Sequence, residues 1–159
     1  MILEDNKNIL VLGIGNLLMG DEGIGVQTIK ALEDITLPKN IVLLDGGTGG
    51  FHLLEYLQKY SQIVMVDATM DGGPAGTISV IEPKFASDFP KSLSAHDIGL
   101  KDLVESTALL GELPKIYLIT VTIDNIQSME MELSPQVKRA VPNVVEKVIE
   151  LITFINNQH

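Results

Sequence analysis

Asn8-Ile-Leu-Val-Leu-Gly-Ile-Gly-Asn-Leu-Leu-Met-Gly-Asp-Glu-Gly-Ile-Gly25 is the stretch whose reading decides the fold. Ile9 to Ile14 is a short apolar run, the pattern of a buried strand. Gly13, Gly15 and Gly20 punctuate the turn after it, and a helical pattern follows from Gly23. The order resembles the start of a nucleotide-binding loop, but the residues depart from one. A dinucleotide fingerprint needs glycine where this chain has Leu18. Gly15 and Gly20 have the spacing of a phosphate-cradling loop, yet Asp21 and Glu22 stand where that loop has Lys and Ser or Thr. Two carboxylates repel a phosphate and suit a cation.

Outward from this stretch, strand-like and helix-like patterns alternate. Strands are predicted at residues 8–14, 40–44, 62–66, 76–82 and 115–121. Helices are predicted at 22–34, 51–60, 98–110 and from Ser134-Pro135 to about Phe154. Ser134 supplies a capping hydroxyl and Pro135 suits the first helical position. Pro142 should kink or restart that last helix. About ten residues separate the third and fourth strands, too few for a helical crossover, so an antiparallel hairpin is expected there. The alternation implies a three-layer α/β/α fold: a twisted, mostly parallel five-stranded sheet with one antiparallel strand, covered on both faces. The stretch 83–97 is the least regular and long enough to be a binding loop.

With 159 residues the chain is expected to form a single domain, residues 1–159. Apolar content of 45% and a mean hydropathy of +0.26 mark a globular chain. A net charge of −10 without a Lys/Arg cluster argues against nucleic acid. The absence of cysteine removes disulfides, thiolate metal sites and a cysteine nucleophile. No apolar run approaches the roughly 20 residues that span a bilayer, and residues 1–7 lack a signal core. A soluble, cytoplasmic protein is expected. Neither a nucleophile elbow nor a His-Glu-x-x-His helix is present, so a conventional serine hydrolase or zincin is poorly supported.

In open α/β sheets ligands bind beyond the carboxyl ends of the strands. Each of the first three strands ends in acid: Asp21 and Glu22, then Asp45 before Gly46-Gly-Thr48, then Asp67 after Val66. Asp21 reads as the N-cap of the first helix. Glu22 is then either an exposed carboxylate favoured by the helix dipole or a side chain projecting into the crevice. Asp45 reads as a turn former beside two glycines. Asp67 is either exposed at the rim or buried, where it needs hydrogen bonds or a cation. His96 lies in the irregular stretch, and from residue type alone it reads as solvated. Glu, Asp and His together form a ligand set for a borderline divalent ion such as nickel or zinc.

Four segments together carry a resemblance: Gly13-Ile-Gly-Asn-Leu-Leu-Met-Gly-Asp-Glu-Gly-Ile-Gly-Val26, Leu44-Asp-Gly-Gly-Thr48, Val66-Asp-Ala68 and His96-Asp-Ile-Gly-Leu100. Over nearly the whole chain, from about Ile9 to the last helix, it resembles the nickel–iron hydrogenase maturation endopeptidases. That resemblance implies an endopeptidase that removes the C-terminal extension of the hydrogenase large-subunit precursor after nickel insertion. It implies Glu22, Asp67 and His96 as metal-contacting residues, with Glu22, Asp67 and Asp45 as the catalytic candidates. Nickel would be borne by the substrate, the free enzyme being metal-free, and would act as the recognition element. The implied partner is the precursor itself, and a monomer is expected when free. Gly49 and Ala95 depart from residues frequent in the family, Ala and Pro respectively, and neither is a proposed ligand.

Two rivals belong to other classes. A non-enzymatic nickel-binding maturation or chaperone protein on the same fold would hold free nickel and cut nothing. A nucleotide- or flavin-binding domain would use the same sheet, against which Asp21 and Glu22 argue.

Overall fold

A computed structural model describes residues 5–47, 51–90, 98–111, 113–125 and 131–158. Its strands are β1 (Asp5–Gly13), β2 (Ile41–Asp45), β3 (Tyr60–Thr69), β4 (Ile78–Ile81) and β5 (Lys115–Thr122). Its helices are α1 (Ile24–Glu33), α2 (Leu54–Lys59), α3 (Ile98–Leu110) and α4 (Pro135–Asn156). Short 3-10 turns, Gly20–Gly23 and Phe51–Leu53, lead into α1 and α2.

The five strands form one sheet in the order β2-β1-β3-β5-β4. β1, β2, β3 and β5 run parallel, and β4 runs antiparallel to β5. The central strands read as continuous apolar runs because both faces are covered. Val11, Val64, Val66 and Ile119 face α1 and α4, against Ile29, Leu32 and Val148. Leu10, Leu12, Ile63, Met65 and Leu118 face the other layer, against Leu57 of α2 and Val104 of α3. In α4 the buried positions Val137, Ala140, Val144, Val148, Ile152 and Ile155 recur every three or four residues, the stripe of a helix lying on a sheet.

Three expectations are corrected. The third and fourth strands are antiparallel but do not form a hairpin, because β5 lies between them and hydrogen-bonds to both. β5 is buried from Ile116 to Thr122 and takes the interior place, whereas β4 is partly exposed along its length and takes the edge. β3 is longer than its apolar run and continues through Asp67 to Thr69, paired residue by residue with Thr120 to Thr122. Pro142 neither ends nor restarts α4, which is one helix of 22 residues. Pro142 and Lys138, whose carbonyl loses its helical donor, both lie on the exposed side, where water can take the missing bond.

Pro142→Ala should therefore restore a ladder hydrogen bond without touching the core. Urea denaturation is expected to show a gain of about 1–3 kcal/mol with an unchanged m-value. A loss of stability would contradict this account of the helix.

Candidate functional site

The sheet register sets the ends of β1 and β2 level with Val66, three residues before the end of β3. Gly13, the last residue of β1, pairs with Asp45 on one side and Val66 on the other. The chain beyond Gly13 is tied to both neighbours. The Ile14 N–H donates to the Val66 carbonyl at 2.9 Å, the Gly15 N–H to the Gly47 carbonyl at 2.6 Å, and the Gly46 N–H to the Gly13 carbonyl at 2.8 Å. These bonds fold the β1–α1 turn over the carboxyl end of the sheet.

The glycines let it fold that tightly. A side chain at Gly25 would meet the backbone carbonyls of Ile14 and Val66, and one at Gly15 would meet the Glu22 carbonyl. Gly20 adopts φ +58°, the left-handed conformation that favours glycine. The start of α1 is thereby pressed onto the backbone next to Asp67, and the turn holding Asp21 and Glu22 lies against β3.

Glu22 and Asp67 are both 0% exposed. Glu22 Oε2 and Asp67 Oδ2 are withdrawn from solvent. Asp67 Oδ1 accepts the Ala68 N–H at 2.8 Å. By strand alternation Asp67 shares the face of Ile63 and Met65, the one covered by α2 and α3. The rim reading of Asp67 and the exposed reading of Glu22 are thus both corrected. Around Asp67 the sheet end is polar and closed: Thr69, Thr120 and Thr122 are buried too. Thr122 Oγ1 donates to the Asp71 carboxylate at 3.2 Å, and the Gly73 N–H donates to Asp71 Oδ1 at 3.0 Å, which pins the loop beyond β3 across the end of β5.

Asp45 is exposed, and its Oδ1 accepts the Gly47 N–H at 2.8 Å, the side-chain-to-backbone bond of an Asx turn. Its carboxylate shapes the β2 turn that receives Gly15. His96 and residues 48–50 lie outside the described residues. His96 stands two positions before Ile98, where α3 opens on the face that Asp67 shares. Among the described residues no three His, Cys, Asp or Glu side chains gather at metal-binding distance.

Asp21 differs from its expected role. It is 1% exposed and does not cap its own turn. Instead its Oδ1 accepts the Ser134 N–H at 2.6 Å and its Oδ2 accepts the Ser134 hydroxyl at 2.7 Å. Ser134 is the N-cap residue of α4 with Pro135 following, as expected, but its hydroxyl does not cap that helix. Local sequence misses this pair because its members are 113 positions apart. The only signal is two N-cap-type residues, each placed before a helix.

Chemically, the site offers two carboxylates enclosed at the end of a parallel sheet, with backbone fixed by glycine contacts. Buried carboxylates are held by hydrogen bonds, ion pairs or metal ions. With an imidazole they make a nitrogen–oxygen donor set suited to a borderline divalent ion. Gly25→Ala should disrupt this arrangement from a distance, since its methyl group meets main chain on two sides. The expected loss is about 3 kcal/mol of stability by chemical denaturation. A variant within about 0.5 kcal/mol of wild type would show that the contact is not tight.

The model of the hydrogenase maturation protease family, HycI, matches residues 26–151. The hydrogenase 2 maturation protease of Escherichia coli is 33% identical over 144 residues, covering 89% of this chain and 88% of that protein. The hydrogenase expression/formation protein HupD of Thiocapsa roseopersicina is 35% identical over 156 residues, covering 94% and 70%. Among solved structures, the hydrogenase maturating endopeptidase HybD from E. coli matches with a TM-score of 0.83 at 31% identity, over 92% of each chain.

Proposed function

Given that the chain belongs to the hydrogenase maturation protease family and is therefore a peptidase, we propose that it removes the C-terminal extension of a nickel–iron hydrogenase large-subunit precursor after nickel has been inserted. In this reading Glu22, Asp67 and His96 grip the nickel ion carried by the precursor. The observation that carries it is the complete burial of Glu22 and Asp67 at one end of the sheet, beside the turn that the glycines hold down.

Three protein ligands leave coordination positions open, which the precursor's own ligands fill. Docking is thereby tied to the presence of the metal, and an empty precursor docks poorly. Nickel held there by Glu22, Asp67 and His96 would supply Lewis-acid polarisation of the scissile carbonyl. Asp45 shapes the β2 turn or orients the attacking water. The net charge of −10 steers the enzyme toward a basic or metal-bearing surface. No described helix is long and apolar enough to cross a membrane. In this reading the chain works in the cytoplasm on a folded precursor and is monomeric when free.

The test mixes the purified chain with nickel-loaded and nickel-free precursor and follows the precursor's C-terminus by intact mass. Loss of one defined peptide, from the loaded form only, is the expected result. Cleavage of both forms would retain the protease and remove the nickel checkpoint. No cleavage at all would favour the nickel-binding chaperone. Glu22→Gln and His96→Ala are each expected to slow processing by at least about 100-fold, and wild-type rates in both would sink the proposed ligand set. Asp45→Asn keeps the oxygen that accepts the Gly47 N–H, so its stability should stay within about 0.5 kcal/mol of wild type by urea denaturation. Any processing defect in that variant then reports on chemistry rather than folding.

A further inference from the structure

We propose that Asp21 and Ser134 form a positioning device for Glu22, by which the start of α4 holds the metal-facing carboxylate in place. The inference rests on the reading of Glu22 as a nickel ligand.

Asp21 and Glu22 are adjacent and both enclosed. Both oxygens of Asp21 are engaged by one residue, Ser134, at 2.6 and 2.7 Å. That pair is a two-point clamp, which fixes orientation as well as distance. α4 contributes further, because the positive end of its dipole lies where the Asp21 carboxylate sits. Ser134 also anchors the helix itself, its carbonyl accepting the Lys138 N–H at 2.8 Å. On the other side the Glu22 N–H donates to the Met19 carbonyl at 3.3 Å, and the Glu22 carbonyl packs on Gly15. The Glu22 backbone is thus held within its own turn, at Met19 and Gly15, while the residue before it is tied to α4 through Ser134. Releasing Asp21 removes the tie to α4, so the peptide before Glu22 can shift within the turn and its carboxylate moves from the donor set. A mere structural tie between α4 and the turn would lower the melting temperature and leave metal affinity unchanged in the folded protein.

The test titrates nickel ion alone into wild type, Asp21→Ala, Asp21→Asn, Ser134→Ala and Glu22→Gln. Calorimetry is done well below each melting transition, with folding confirmed by circular dichroism. Asp21→Ala is expected to weaken nickel binding by at least about 10-fold. Asp21→Asn still offers an oxygen to the Ser134 N–H and an amide to its hydroxyl, so it should stay within about threefold of wild type. Ser134→Ala keeps the N–H and should fall between the two. Should Asp21→Ala not fold, Ser134→Ala decides: weakened binding supports the device, and wild-type affinity overturns it. Folded Asp21→Ala that binds nickel like wild type, while Glu22→Gln binds it weakly, overturns the inference and leaves the proposed function standing. Unchanged affinity in Glu22→Gln overturns the inference together with the ligand reading beneath it; if wild type takes up no free nickel, the comparison moves to binding of nickel-loaded precursor, where wild-type affinity in Asp21→Ala overturns the inference.

Discussion

The backbone contact between the start of α1 and the ends of β1 and β3 is what the rest of the site depends on. At Gly25 main chain meets main chain with room for a hydrogen atom and no more, facing the carbonyls of Ile14 and Val66. Gly13 makes the reciprocal approach to the Gly25 carbonyl. This contact places the turn over the sheet end instead of beside it. Glu22 is then enclosed instead of standing on a solvated helix terminus, and the residue after Val66 becomes the floor of the same region. A looser turn of the same composition would have left the acids in water, where carboxylates hold a metal weakly and discriminate little.

Enclosure gives the acids their chemical meaning. Near the surface, two opposite charges a few ångströms apart interact weakly, and salt weakens them further. Withdrawn from water, the same groups respond strongly to an incoming divalent ion. The polar threonines at the ends of β3 and β5 support this local environment, while a few residues back along the same strands the core is mainly apolar. The sheet thus changes character along its length, from a packing surface to a polar floor. Asp45 stands apart from this floor: it is exposed, and its carboxylate is engaged in building its own turn.

The order of strands and helices was legible because burial on both faces writes long apolar runs into the strands and a three-to-four spacing into the helices. The span of α3 follows from its sequence without adjustment. The failures have physical causes. β3 reads short because Asp67 and Thr69 look like the end of a strand, although their backbone continues the ladder with β5. The β3–β4 pairing is misjudged because a short connection suggests adjacency, whereas the competition for the central place is decided by β5, far along the chain. Carboxylates at strand ends were visible from the fold rule alone, but their burial was not, since enclosure comes from glycine contacts that local pattern does not encode. Asp21 was assigned to the wrong helix for the same reason: a capping residue announces that it accepts N–H groups without saying whose. Glu22, Asp67 and His96 were joined into one ligand set by family resemblance, the spacing along the chain being silent on it.

Pro142 divides α4 unequally with respect to opening. The first two turns, from Pro135 to Val141, are joined to the remaining helix by a hydrogen-bond ladder with a missing rung, and Ser134 sits at their outer end. Beyond Pro142 the helix is stapled to the sheet by Val144, Val148, Ile152 and Ile155. Local unfolding follows the weakest joint, so amide protons of the first segment should exchange with solvent as a group and earlier than those after Asn143. The protection of that segment would report how firmly the acidic turn holds it, so that hydrogen exchange in a helix on one side of the molecule becomes a gauge of order on the other side of the Asp21 clamp.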